Sequence, residues 1–190
     1  MFFFRNILFE PDLMAEITPK KGAAGFILGS SIKDIVKKIG RVNWYESNAN
    51  IYNKCLQNHG WIGSVYYQSN IGKPYHKGMH SSEYNILKTL IYKNNLIRLS
   101  FNKTGKLYVI SLGLGYGKSF YNAKPSDNIK LLEKYFKIYF DNQDDVFYLY
   151  KESNNDLIPG ICFSTNYRVS LEEAPEQIIE FISIHDWSLQ

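Results

Sequence analysis

Cysteine, long apolar runs and, through one third of the chain, acidic residues are scarce in these 190 amino acids. The two cysteines, Cys55 and Cys162, are expected to be free buried thiols, because nothing marks the chain as secreted and a pair is no disulfide framework. No stretch approaches the roughly 18 consecutive apolar residues that a membrane span requires. The opening MFFFRNILFEPDLMAEI begins apolar, but Arg5, Glu10 and Asp12 interrupt it and no small-residue cleavage site follows, which argues against a signal peptide. These absences predict a cytoplasmic protein with no membrane partner. They leave the central question, what the surface is for, entirely open.

Apolar and aromatic residues are plentiful. At 45% apolar and 16% aromatic, with fifteen tyrosines and twelve phenylalanines, the chain can build a core, and its composition leans towards sheet. Charge is segregated along it. Residues 1–58 carry eight bases and five acids, residues 59–120 eight bases and one acid, and residues 121–190 six bases and twelve acids. The middle third could hold an anionic partner and the last third a cationic one. The same pattern also fits two solvated faces that neutralise each other within one fold.

The strongest local signal is GFILGSSIKDIVKKIG, residues 25–40. Ile32, Ile35, Val36 and Ile39 follow helical spacing, Ser31 is placed to cap, Asp34 stands three residues later, and Gly40 supplies a stop. Strands are predicted at 13–18, 61–68, 86–92, 96–101, 106–112, 146–151, 160–164 and 178–184. Asn102-Lys103-Thr104-Gly105 closes a hairpin. A short helix is one reading of 48–58, a polar loop is expected at 70–82, and a second helix over 127–137 through Ile129, Leu132 and Phe136. Shifting the chain by 97 residues superposes those three on Ile32, Ile35 and Ile39. The expected fold is therefore α+β, a single domain over 1–190 with helices packed on one face of antiparallel sheet, and two degenerate helix-plus-sheet repeats at about 13–118 and 119–190.

The 25–40 segment resembles the opening of many small bacterial α+β proteins with a helix-plus-sheet repeat: glycine, apolar residues, Leu-Gly, serine, helix, glycine. Such proteins include periplasmic β-lactamase-inhibitor-like modules and immunity proteins of polymorphic toxin systems, among them contact-dependent growth inhibition. LIRLSFNKTGKLYVISLGLGY looks like the hairpin that often follows in such chains, and IPGICFS with IIEFISI looks like its second-half counterpart. The resemblance touches about 60 residues. It implies a protein that binds and neutralises another protein, the C-terminal domain of a cognate toxin, without catalysis. The absence of a lipobox cysteine favours a cytoplasmic immunity protein over the periplasmic and lipoprotein members.

Motifs that would carry chemistry are incomplete. Gly117-Lys118-Ser119 matches the tail of a phosphate-binding loop, but the glycine required five positions earlier is Leu112 and no helix follows. His76 and His80 have ligand spacing only in a helix, and Pro74 and Gly78 argue for a loop. Cys55 and His59 lack a third, orienting group. No metal, cofactor or catalytic residue is expected, although a hydrolase with a dispersed site is a third possibility. Trp61, Tyr66, Tyr67, Tyr75, Tyr84 and Tyr92 interleave with Lys73, Lys77 and Lys88, which makes a nucleic-acid-binding module over 61–120 the alternative function. Nucleic acid is nevertheless disfavoured as a partner, since Arg98 is the single arginine there and no recognition motif accompanies it.

The acidic last third supplies the preferred surface. Asp141, Asp144, Asp145, Glu152 and Asp156 flank a strand whose Tyr148 and Tyr150 project to one face. These seven residues are the expected toxin-binding site. A carboxylate patch with tyrosines suits docking on a basic cleft such as a nuclease active site, where charge complementarity speeds association and selects the partner. A solvated hairpin edge protected by charge is the plainer account of the same acids.

Overall fold

Two minimal strands, β1 (Gly22–Ala23) and β2 (Phe26–Ile27), form a tight antiparallel pair ahead of the best-signalled helix. The computed structural model describes residues 9–47, 51, 53–54, 60–70, 72 and 74–190. Helix α1 (Ile32–Ile39) starts where Ser31 accepts a hydrogen bond from the Asp34 amide at 3.2 Å and donates its hydroxyl to the Asp34 carboxylate at 2.6 Å. Ile35 and Ile39 are buried, the lysines face outward, and Gly40, at φ 88°, returns its N–H to the Val36 carbonyl.

The remaining strands form one sheet. β3 (Asn43–Glu46), β4 (Trp61–Ser69), β5 (Tyr84–Tyr92), β6 (Ile97–Phe101) and β7 (Leu107–Leu112) come from the first half. β8 (Phe136–Asp141), β9 (Val146–Lys151), β10 (Ile161–Thr165) and β11 (Ile179–His185) come from the second. The order is β3-β4-β5-β6-β7-β11-β10-β9-β8, so two sequential meanders meet where β7 pairs with β11. All pairs are antiparallel except β3–β4, and this corrects the expectation of a purely antiparallel sheet: the fold is α+β with a mixed nine-stranded sheet.

Register sorts the side chains into two faces. Leu90, Leu99, Ile110 and Ile184 lie in one row across β5, β6, β7 and β11, and all are at 0% exposure. With Phe163, Phe147 and Leu149 they form the main core, which α1 covers through Ile35 and Ile39. The opposite row, Ile91, Arg98, Ser111, Ser183, is largely polar, and Ser111 and Ser183 share a hydrogen bond at 2.8 Å. A sheet of mainly antiparallel strands can pack one face on the core and leave the other, here of mixed polarity, less covered.

The expectations for 61–68, 86–92, the 96–112 hairpin, 146–151, 160–164 and 178–184 correspond to β4, β5, β6–β7, β9, β10 and β11. Those for 13–18 and 127–137 do not hold. The 13–18 segment is no strand: Leu13 and Ala15 give their carbonyls to the Gly117 amide and the Tyr116 hydroxyl, and only Thr18 makes an isolated bridge, to Gly22. Residues 127–137 are no α-helix. Ile129–Lys134 is 3₁₀, whose three-residue turn satisfies the Ile129/Leu132 spacing equally well. Phe136 instead opens β8, where Phe136, Ile138 and Phe140 alternate towards the core. The match of this segment to α1 therefore fails at the helix, and no clear repeat is seen there. β3 and β8 were not anticipated. Most of the proposed 48–58 helix lies outside the described residues, as does Cys55, while Cys162 is a buried free thiol.

Candidate functional site: an acid-rimmed aromatic concavity

At the end of the sheet formed by β8, β9 and β11, the less packed face opens into a concavity of about 430 Å³. β9 delivers Tyr148 and Tyr150 to this face, because residues two apart on a strand project together. β11 ends in His185, and the chain then turns through a short 3₁₀ segment, Trp187–Leu189, capped by Asp186. Asp186 accepts from the Ser188 amide at 3.1 Å and hydroxyl at 2.6 Å, which hold its carboxyl below the usual range. Continuing the β10 register places Gly160 opposite both His185 and Tyr150, and the His185 amide donates to the Gly160 carbonyl at 3.1 Å. A glycine in that row lets Lys20 pack directly over the strand between the two rings: a Cβ at Gly160 would stand 2.4 Å from the Lys20 amide nitrogen.

The walls are aromatic. Trp187 stacks on His185 with centroids 4.2 Å apart, and Tyr148 meets the same imidazole edge-on at 6.2 Å. Tyr139, half exposed, packs against Tyr150 at 5.1 Å. Leu157, Ile158 and Pro159 close the other side, and Lys20 reaches in from the amino-terminal segment, anchored by its amide to the Gly160 carbonyl. His185 is only 5% exposed, and both of its ring nitrogens are shut off from solvent. Burial drives its pKa down to about 4; the Ile161 backbone and Asp186 oppose that shift, and Lys20 adds to it. The imidazole is therefore neutral at pH 7, one nitrogen a donor and the other an acceptor. Burial likewise pushes the Tyr148 phenol and the Cys162 thiol up to about 12, with Asp144 adding to both, so neither group is ionised for nucleophilic work.

Of the seven residues expected at the site, Asp141, Tyr148 and Tyr150 line the concavity. Asp141 ends β8 and uses one oxygen to accept from the Gln143 amide at 2.8 Å and the Asp144 amide at 3.4 Å. Asp144 and Asp145 belong to the β8–β9 turn, where Asp145, at φ 55°, pairs with Arg168 at 3.7 Å. Glu152 and Asp156 lie past the other end of β9, roughly 20 Å of strand away from that turn. There Asp156 accepts from Asn154 at 2.5 Å. The acids thus form two groups, and one of them borders the concavity. His185, Trp187, Asp186 and Lys20 were missed. The only sequence signal was the alternation of 178–184, which extends to put Ser183 and His185 on the polar face.

The other candidates are dispersed or occupied. Trp61 packs against both Tyr92 and Phe26; Tyr67, Tyr75 and Tyr84 contact one another; and Tyr66 lies on the opposite face of β4 from Tyr67. Lys73 lies outside the described residues. Lys118 pairs with Glu16 at 2.6 Å, and residues 113–119 are an irregular hairpin exit. His80 caps the 3₁₀ turn at Ser81–Glu83 and His76 contacts the Lys77 carbonyl. Among the described residues no group of three or more His, Cys, Asp or Glu is placed to hold a metal, and no helix is long and apolar enough to cross a membrane. No protein-family model, curated protein or solved structure matches the chain.

Proposed function

We propose that this chain is an immunity-type inhibitor: it binds a cognate toxin domain through the acidic, aromatic end of its sheet and blocks that domain without chemistry of its own. The observation that carries the reading is the concavity itself, where Asp141, Tyr148 and Tyr150 converge with Trp187 beside the Asp144 turn. Tyrosine and tryptophan bury large amphipathic area at low entropic cost, which suits a protein interface. The resemblance of the 25–40 and 96–116 segments to toxin immunity proteins supports the same class. The net charge of +4 opposes a basic partner at long range, so the local acidic patch must dominate the encounter. A nucleic-acid module is the weaker reading, because the candidate stacking rings are divided between faces or packed on one another.

The test is co-expression of the tagged chain with its neighbouring-gene products and capture at physiological salt. Recovery of one stoichiometric protein partner, lost on Asp144→Lys, is the expected result. Asp144 is the residue to reverse, since Asp145 already pairs with Arg168. Recovery of nucleic acid alone would refute the proposal.

A further inference from the structure

Helix α1 is eight residues long, and the sheet face that it covers continues past it. Beyond the Leu90 row that face carries Val65, Lys88 and Phe101, and then Tyr67 and Ile86. Two adjoining hollows, of about 430 and 270 Å³, lie between the helix and these strands and share Ile32 and Lys88. Their floor is apolar, built from Ile32, Val36, Trp44, Ile86 and Phe101, and Ile86 is left 42% exposed. Trp44 is a fixed wall, because its ring lies across Gly63 and the Lys88 ammonium stands 5.4 Å from its centroid. An apolar floor open to water in this way is the mark of a surface that another molecule covers.

The rim decides what that molecule is. Lys33 and Lys37, one turn apart on α1, Lys88 on β5 and Lys103 in the β6–β7 turn line the two hollows, and no acid lines either. None of the four forms an ion pair among the described residues, which include every aspartate and glutamate of the chain. Glu46 shares the Lys88 row but stands two strands and about 10 Å away, and Asp34 on α1 is bound to the Ser31 hydroxyl. We infer that this groove docks an acidic segment of a partner protein, whose carboxylates meet the four lysines while its apolar side chains fill the floor. Apolar burial supplies the affinity, and the lysines select the charge. A nucleic acid fits less well, because the floor is mostly aliphatic and the one large exposed ring is already covered, so bases find no stacking platform. The groove is separate from the acid-rimmed concavity: it lies on the face opposite Tyr148 and Tyr150, with β5 five positions from β9 in the sheet.

The probe is an acetylated, amidated hexapeptide of alternating glutamate and leucine. It is titrated into the full chain at low ionic strength while the Trp44 indole ¹H–¹⁵N resonance is followed, assigned through Trp44→Phe. A saturable shift is expected. The glutamine–leucine hexapeptide, which lacks the charge, gives none, and the glutamate–serine hexapeptide, which lacks the apolar side chains, binds more weakly. Lys33→Gln combined with Lys88→Gln weakens binding about tenfold, and raised salt acts in the same direction. Lys37→Gln combined with Lys103→Gln, both at exposed positions, is the second variant and weakens it comparably. Equal response to the glutamate and glutamine peptides, tighter binding of oligouridylate, a shift with phosphatidylserine vesicles alone, or no response to any probe would overturn the inference. So would self-association in sedimentation that Lys33→Gln with Lys88→Gln abolishes, since a second copy of the chain would then be the occupant. Partner capture at Asp144 reads the other face, so either surface can fail while the other stands.

Discussion

Replacing Gln177 with alanine removes the amide that holds the 166–177 connection to the sheet. Gln177 is at 0% exposure. Its Nε2 lies 2.9 Å from the Ala174 carbonyl, 3.0 Å from Val169 and 3.1 Å from Ser170, so two N–H groups serve three acceptors. Its Oε1 accepts from the Thr165 hydroxyl at 2.5 Å, a proton that Thr165 also directs towards the Tyr167 carbonyl. Truncation deletes about three hydrogen bonds, each contributing a net ~1 kcal/mol, for a loss of about 3 kcal/mol. With a urea slope of roughly 2 kcal/mol per M, the midpoint falls by about 1.5 M. The assay is urea unfolding followed by tryptophan fluorescence. Gln177→Glu supplies the control: at pH 7 a carboxylate faces three carbonyls without a donor, so this near-isosteric change costs more than alanine. Its folded-state pKa must then be raised above the unfolded value. Stability is therefore retained below that unfolded value and lost as pH rises through the folded one. A midpoint shift under about 0.5 M for the alanine variant, or a glutamate variant as stable as the parent at pH 7, would refute this account.

Two further outcomes follow from the same geometry. His185 has its pKa lowered from 6.5 to about 4, so the unfolded chain binds the proton first: stability is complete above about 6.5 and falls as pH drops towards 4, by up to about 1.4 kcal/mol per pH unit. Asp186, Asp144 and Lys20 surround that ring, and His185→Phe, which keeps a stacked ring, should flatten the dependence in a pH series of unfolding midpoints. Gly63→Ala would put a methyl group inside the Trp44 ring, which lies across that glycine, and should loosen β3 from β4. The expected cost is about 1–3 kcal/mol, with a red shift of tryptophan emission, and an unchanged spectrum would count against the contact.

Much of the fold was readable because its signals are local. Ser31, Asp34 and Gly40 act within one helix, and Asn102 to Gly105 act within one turn, where the Asn102 side chain accepts from the Thr104 and Lys106 amides at 3.0 and 2.8 Å. The alternation of VFYLYK and IIEFISI foretold both the strands and the common face of Tyr148 and Tyr150. The error at 127–137 has a physical source: Ile129 and Leu132 are three apart, a spacing shared by α and 3₁₀ turns. What decided between them was non-local, since the Ile129 amide donates to the Gln177 carbonyl and the Ile179 amide to the Asp127 carbonyl. β3 escaped notice because its one parallel pairing, with Trp44 lying over Gly63, is invisible in four residues of mixed polarity.

By itself the sequence determined the capped helix, the hairpins and the segregation of acid into the last third, all of which depend on neighbours within a few residues. Tertiary structure alone decided that β7 meets β11, and with that contact the whole sheet order. It also separated one acidic patch into two ends of β9, and joined Asp141 to His185, Trp187 and Lys20, which stand 44, 46 and 121 positions from it in the chain. A concavity is a property of register across strands, which sets Gly160 between His185 and Tyr150 and lets Lys20 pack over it, and register is set by core packing that no single segment contains.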